Sequence, residues 1–291
     1  MPEIVNLTVA DIISGIWGFL NTNFSAALFG ALAGAYAAHR IALRKERTDR
    51  LVGAIEATNT AIGLTNSIAN VYISIKRQLL MNLAATYREQ FEQFANQIQQ
   101  AEGVIGQAPN IVTVLADFRN ISVPTVPIAA LRDVVAAKIG PSVHAGSLTQ
   151  SLSQSIESFD RSIKVRNQSI IALHQCGDEE RVLRYFGLRV PGGIDETYPD
   201  VMHGLTLQID DCIYFSMKLA EILVQHGRNL PELLKRAGKN PNVVTVSYEN
   251  VPQAVLPNPD DYPDFERQYP TPLKSTKIKQ SVWRKLFDAA Q

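Results

Sequence analysis

Cysteine is scarce in this chain, and neither sign of charge is in excess. The 291 residues include two cysteines, Cys176 and Cys212, which are too few for a disulfide framework and are expected to be reduced thiols. Lysine and arginine number 28 and aspartate and glutamate also 28, so a protein that coats nucleic acid is excluded, although a local basic site is not. An apolar content of 46% excludes a disordered chain.

Motifs of known catalytic chemistry are also missing. The sequence contains no GxxxxGK[ST], GxGxxG, HExxH or CxxC pattern. His174 and Cys176 precede an acidic run at a predicted helix end, where charged residues are expected without any site. Asp210 and Asp211 are neighbours on a predicted helix, so their side chains point about 100° apart and form no dyad. We therefore expect no enzymatic activity, metal or cofactor.

Charge is absent from residue 12 to residue 38, a run of 27 residues (38 − 12 + 1). A helix of that length measures about 40 Å, enough for a hydrocarbon core of about 30 Å. The basic residues follow the run and do not precede it, which argues against a signal peptide and places the N-terminus outside and the rest in the cytoplasm. The sequence thus predicts a single-pass membrane protein. A buried helix of a soluble protein is the alternative.

Two starting points for the span remain open. A single helix could run from Trp17 to Ala38 with its asparagines near the outer end. Alternatively, Thr22 or Asn23 caps a helix that continues to Leu43, and Trp17 anchors the preceding segment at the outer surface. Both versions have the same orientation.

Small residues recur at every fourth position of this segment. They are Ala26, Gly30, Gly34 and Ala38, and they include a GxxxG pattern. Small side chains let helix backbones approach closely in lipid, so these four residues are predicted to form a homo-oligomer interface. The polar residues Asn21, Asn23 and Ser25 would then face water and line a pore.

The remainder predicts an all-α fold in three parts. Residues 1–43 form the membrane segment, 44–249 a cytoplasmic helical bundle, and 250–291 a proline-rich strap followed by a basic helix. Helical spacing of apolar residues predicts long helices over 44–100, 147–174 and 201–226, and shorter ones over 128–139 and 230–237. Residues 191–193, Pro-Gly-Gly, predict a loop, and residues 243–248 are the one convincing strand. The basic C-terminal helix is expected either on the inner membrane surface or packed on protein.

One cluster suggests a ligand. Arg181 and Arg184 share a helix face, Tyr185 follows, and Arg189 closes the group. Guanidinium groups beside an aromatic ring suit phosphate with a stacked base, so these residues are candidates for binding a nucleotide or oligonucleotide. A solvated helix surface with Tyr185 in the core is the alternative.

The first 45 residues resemble a known group of proteins. The stretch from Trp17 to Phe24, the Gly/Ala-rich span and the basic exit His39-Arg40 are similar to the membrane effectors of bacterial anti-phage abortive-infection systems, such as the Hailong-type channel subunit. The resemblance implies an oligomeric ion channel of the bacterial inner membrane. It also implies control by a nucleotide or oligonucleotide that a partner enzyme makes. A membrane-anchored helical scaffold without conduction is the alternative function.

Overall fold

The computed structural model describes residues 8–20, 23–102, 114, 116–139, 143–190, 192–230 and 242–268. Over these residues the protein is mostly helical, and its strands form one two-residue ladder, which is consistent with the predicted all-α class. The helices are α1 (Val9–Leu20), α2 (Asn23–Ile75), α3 (Met81–Glu102), α4 (Ile128–Val134), α5 (Val143–His174), α6 (Asp178–Tyr185), α7 (Thr197–Asn229) and α8 (Pro263–Gln268).

Helices α2 and α3 form one long helix that is joined by a π-helical segment, Lys76–Leu80. No proline lies between Pro2 and Pro109, so every residue in this stretch keeps the backbone N–H that donates within a helix. The 53 residues of α2 alone span about 80 Å at 1.5 Å per residue. The helix continues unbroken through residues 43 and 44, where the sequence placed a domain boundary.

In the core, α7 packs against both α5 and the second half of α2, and α4 and its π-helical turn Val135–Ile139 also contact α2. The apolar face predicted for α5 is buried, with no side chain more than 4% exposed among Leu148, Leu152, Ile156, Phe159, Ile163 and Ile170. These positions follow helical spacing, so a single face of α5 carries most of its contact with the bundle.

A short connection leads from α5 to α7 through α6 and a small hairpin. Strands β1 (Arg189–Val190) and β2 (Gly193–Ile194) pair antiparallel around the predicted Pro-Gly-Gly loop. Gly187 ends α6 with φ +68°, and a Cβ there would lie 2.8 Å from Pro199 Cγ. Only glycine fits this turn without strain.

The predicted proline-rich strap is partly described, over residues 250–268, and it packs on α7. Tyr262 stacks on Tyr214 with ring centroids 3.8 Å apart, and Phe265 meets Phe215 edge to face at 4.8 Å. The strap therefore adds aromatic contacts to a face that α2 and α5 leave open.

Two sequence predictions differ from the structure or fall outside it. Residues 243–248 read as a strand in the sequence but join no ladder, because Asn59 binds the backbone there, donating to Asn242 O and accepting from Val244 N, each at 3.0 Å. Most of the 230–237 helix and the whole basic C-terminal helix lie outside the described residues.

The structure also bears on the N-terminal segment. Among the helices of the described ranges, none combines the length and hydropathy needed to cross a membrane.

Candidate functional site

Most of the first half of α2 lies outside the core. Every side chain from residue 27 to residue 47 is exposed, whereas the second half of the same helix enters the core. Several of the exposed side chains are large and apolar, with Phe29 at 56%, Leu32 at 58% and Tyr36 at 63% exposure. A contiguous apolar surface of this kind marks an interaction site in folded proteins.

This exposed half of α2 has two different faces. At 100° per residue, Phe29, Leu32 and Tyr36 lie within about 60° of one another. Gly34 lies on the opposite side, with Gly30 and Ala38 each about 40° from it. The helix thus presents one bulky apolar face and one small face, which we call the small face of α2.

The small face is open down to the backbone. A Cβ placed on Gly30 or on Gly34 would meet no atom within 4 Å. Neither glycine is therefore required for packing within the chain. A second backbone could approach α2 closely at these positions.

The small face continues into the bundle region. Asn70 lies 36 residues after Gly34 (70 − 34), which is about ten helical turns, and so it shares the same azimuth. Around Asn70 a shallow surface groove of about 620 Å³ is lined chiefly by small and polar side chains, namely Gly63, Asn66, Ser67, Asn70, Val71, Ser74 and Ile75. The small face of α2 is therefore uncovered in the exposed half and again around Asn70. Between these two parts it is interrupted, because Asn59, about 20° from the azimuth of Gly34, binds the backbone of residues 242 and 244.

Some residues predicted to act here lie outside the described part. Asn21 is one of them, and the side chains of Asn23, Ser25 and Ala26 are likewise not described. The pore-lining prediction and the first member of the small-residue row remain predictions. The described members Gly30, Gly34 and Ala38 are all exposed.

The other end of α2 is held by a buried ion pair at the π-helical segment. Lys76, 8% exposed, donates to Asp210 on α7. Burial raises the pKa of Asp210, and the hydrogen bond from Lys76 opposes that shift. π-Helical segments inside long helices are frequent at functional sites. The pair fixes the point where α2 passes into α3 against the centre of α7.

The predicted Asp210–Asp211 geometry is confirmed, since the two carboxylates face different neighbours. Asp210 accepts from Lys76, whereas Asp211 accepts from the Tyr262 hydroxyl of the strap at 2.9 Å. Burial raises the pKa of Asp211, and the hydrogen bond from Tyr262 opposes this. Adjacent carboxylates on α7 therefore tie it to two separate elements.

Each described member of the predicted ligand-binding cluster has a definite place. Arg181 donates to the backbone oxygens of Leu173 and Cys176 at 2.9 Å, which satisfies carbonyls at the end of α5. Arg184 donates to Glu180 and to Asp195, both at 2.8 Å.

The aromatic member of that cluster is in the core. Tyr185 is 2% exposed, with its ring centroid 4.7 Å from that of Tyr198 and 4.9 Å from that of Phe186. Its ring has no face open to a stacked base. Arg189 is exposed on β1. The arrangement accords with the alternative that the sequence left open, namely a structured helix surface above a buried tyrosine.

The described residues offer few candidates for a metal site or a reactive cysteine. No group of three or more histidine, cysteine, aspartate or glutamate side chains there could hold a metal ion. The two cysteines are free, as expected, with Cys212 buried and Cys176 half-buried. Burial raises the pKa of the Cys212 thiol, which opposes any role as a nucleophile.

Comparison with known proteins identified no relative of this chain. The chain matches no family model, no curated protein and no solved structure. The fold and the site define a helical bundle built on one projecting helix, and its function is inferred from its own residues.

Sequence reasoning missed the charged residues on the apolar faces. Lys76 lies at helical spacing between Tyr72 and Leu80, both of which are buried, and Arg166 lies between Ile163 and Ile170 in the same manner. A charge inside an apolar stripe is a readable signal, because such a side chain is buried only when it is partnered. The partners themselves, on other elements, could not be read from spacing.

Proposed function

We propose that this protein is an oligomeric membrane effector in which α2 serves as both membrane anchor and assembly helix. One observation carries the proposal: α2 is a single unbroken helix in which residues 27–38 are exposed and uncharged, whereas the second half packs in the bundle. The bulky face of Phe29, Leu32 and Tyr36 suits lipid, and the small face suits another copy of α2.

Assembly accounts for the composition of the exposed half. Gly30, Gly34 and Ala38 contribute little apolar side-chain surface, but they lie on the face that a neighbouring copy would cover. Only the bulky face would then contact lipid. The basic residues that follow, Arg40, Arg44 and Lys45 among them, are all exposed and would lie at the cytoplasmic surface, with the N-terminus outside.

The bundle acts as the controlling domain in this proposal. Because α2 enters the bundle without a hinge, a displacement of α2 relative to α7 at the Lys76–Asp210 pair is carried along the same rigid helix to the membrane segment. The resemblance to anti-phage membrane effectors points to the same class, an ion-conducting assembly that responds to a cytoplasmic signal.

Ion flux separates this function from that of a scaffold. The full-length chain is reconstituted into potassium-loaded liposomes, and release is followed together with the fraction of protein that resists carbonate extraction. We expect release that rises more steeply than linearly with protein density, because conduction needs several copies. Protein that is embedded but leaves the liposomes tight would support a tethered scaffold, and protein that carbonate removes would refute the membrane proposal itself.

A further inference from the structure

Arg166 is a buried charge in the middle of α5. The residue is 1% exposed and lies on the apolar face of the helix between Ile163 and Ile170. A guanidinium group stays protonated at every pH that a protein tolerates. Arg166 therefore remains charged although it is buried. A buried charge of this kind is stable only with compensating partners.

The partners of Arg166 are neutral and incomplete. Its terminal nitrogens donate to the backbone oxygens of Arg119 at 2.8 Å and of Asp117 at 2.9 Å. Its Nε has no hydrogen-bond partner, although it is buried. The guanidinium carbon lies 5.8 Å from the centroid of the Tyr198 ring, an aromatic contact that carries no net charge. None of the carboxylates in the described ranges forms an ion pair with Arg166.

The nearest carboxylate is already occupied. Asp117 accepts from Arg119 Nε at 3.0 Å and from an Arg119 terminal nitrogen at 2.6 Å. The Arg119 hydrogen bonds lower the pKa of Asp117, and the charge of Arg166 adds to this effect. Two guanidinium groups and one carboxylate leave the cluster with a net charge of +1 (2 − 1).

A cavity of about 140 Å³ adjoins this cluster, and Arg166, Arg119, Asp117 and Asn120 all line it. Its opposite wall is apolar, formed by Leu79 of the π-helical segment and Leu83 of α3. One water molecule needs roughly 10–15 Å³ of such space, so the cavity can hold an ion of phosphate size.

The loop that forms one wall of the cavity is held in place. Asn167, next to Arg166 on α5, accepts from Ile121 N at 3.0 Å and donates to Ile121 O at 2.8 Å. Together with the two bonds from Arg166, these contacts fix the backbone on both sides of Asn120. The loop backbone and the Arg166 guanidinium are thus positioned before any ligand arrives, which lowers the cost of binding.

We propose that this cavity binds a phosphoryl group, either as free phosphate or as the end of a phosphomonoester. Arg166 would supply the inner positive charge and Arg119 the outer one, and Asn120 would donate from its amide. Guanidinium groups offer paired donors that match phosphate oxygens, and a phosphate monoanion would cancel the net positive charge of the cluster.

Occupancy would act on the long helix, because Leu79 belongs to the π-helical segment between α2 and α3. This consequence rests on the proposed function. The binding claim does not rest on it, since binding is measured on detergent-purified protein without any flux.

Asp117→Asn is the most informative variant. It keeps the backbone oxygen that receives Arg166, so the fold is retained, and it removes the carboxylate that competes for the guanidinium groups. Titration calorimetry with inorganic phosphate at constant ionic strength should show one saturable site per chain. We expect Asp117→Asn to bind about tenfold more tightly and Arg166→Gln at least about tenfold more weakly.

Lys164→Gln is the matched control, because it removes an exposed charge from the same helix. Its affinity should equal that of the wild type. Adenosine monophosphate and acetate are tested in the same way. If both phosphate and adenosine monophosphate bind, the site accepts phosphomonoesters. If phosphate alone binds, the site accepts only the free ion. Equal affinity for acetate, no saturable phosphate binding, or an Asp117→Asn affinity no tighter than that of the wild type would each overturn the proposal.

Discussion

Glu266→Gln tests how the strap is fastened to α7. The Lys218 side chain is 4% exposed and donates to both carboxylate oxygens of Glu266, at 2.9 and 2.7 Å. The Tyr214 hydroxyl also donates to Glu266, at 2.9 Å. Glutamine keeps an acceptor for that hydroxyl, so the substitution removes the charge and little else.

The expected cost follows from the burial of Lys218. Breaking a fully buried ion pair costs about 3–5 kcal/mol, because one charge is left without compensation. Glu266 is 29% exposed and Glu221 lies 4.0 Å from Lys218, so part of that compensation survives. We therefore expect Glu266→Gln to lower the free energy of unfolding by about 2 kcal/mol.

Urea denaturation of the full-length chain, followed by circular dichroism, measures the effect. Lys218→Met should cost less, since it removes the buried charge and leaves a carboxylate that water can reach. The double variant should cost less than the two single costs combined, because the two residues interact directly. A Glu266→Gln variant within about 0.3 kcal/mol of the wild type, or a reversed order of the two single variants, would contradict this account of the strap.

Two other consequences can be measured. Asp211→Asn should stabilise the protein at pH 7: burial raises the pKa of Asp211 in the folded state, so the wild type loses stability as pH rises through that pKa, while asparagine still accepts from Tyr262. The advantage should vanish below about pH 4 in urea melts, and an advantage independent of pH would refute the assignment. A maleimide probe should label half-buried Cys176 well before Cys212, which is 0% exposed, and equal rates in mass spectrometry would contradict the packing around Cys212.

Much of the helical plan could be predicted from the sequence because it depends on local signals. The apolar spacing on α5 and α7 predicted their buried faces, and the Pro-Gly-Gly loop predicted the turn between them. The end residues shifted by a few positions, since α7 begins at Thr197 and not at residue 201. Capping and tertiary contacts decide such ends, and spacing does not report them.

The candidate site could be predicted only in part. The small face of α2 was visible because it repeats every four residues within one helix. The cavity at Arg166 was not, because it depends on Leu79 and Asn120, which lie far apart in sequence and meet only in the fold.

The predicted ligand-binding cluster shows that neighbours in sequence need not face the same site. Arg184 and Tyr185 are neighbours, but helical geometry directs one toward acidic partners and the other into the core. Their proximity in sequence therefore did not mean that the two side chains form one binding site.

Cross-linking of the full-length chain in native membranes tests the central claim, that the small face of α2 assembles copies of this protein. Gly34→Leu adds a side chain that meets nothing within the chain, so it changes only the outer surface. Gly53→Leu is the control, because Gly53 is equally open but lies about 100° around the same helix. The account predicts oligomers for the wild type and Gly53→Leu and monomers for Gly34→Leu. Oligomers of unchanged size in all three would contradict it.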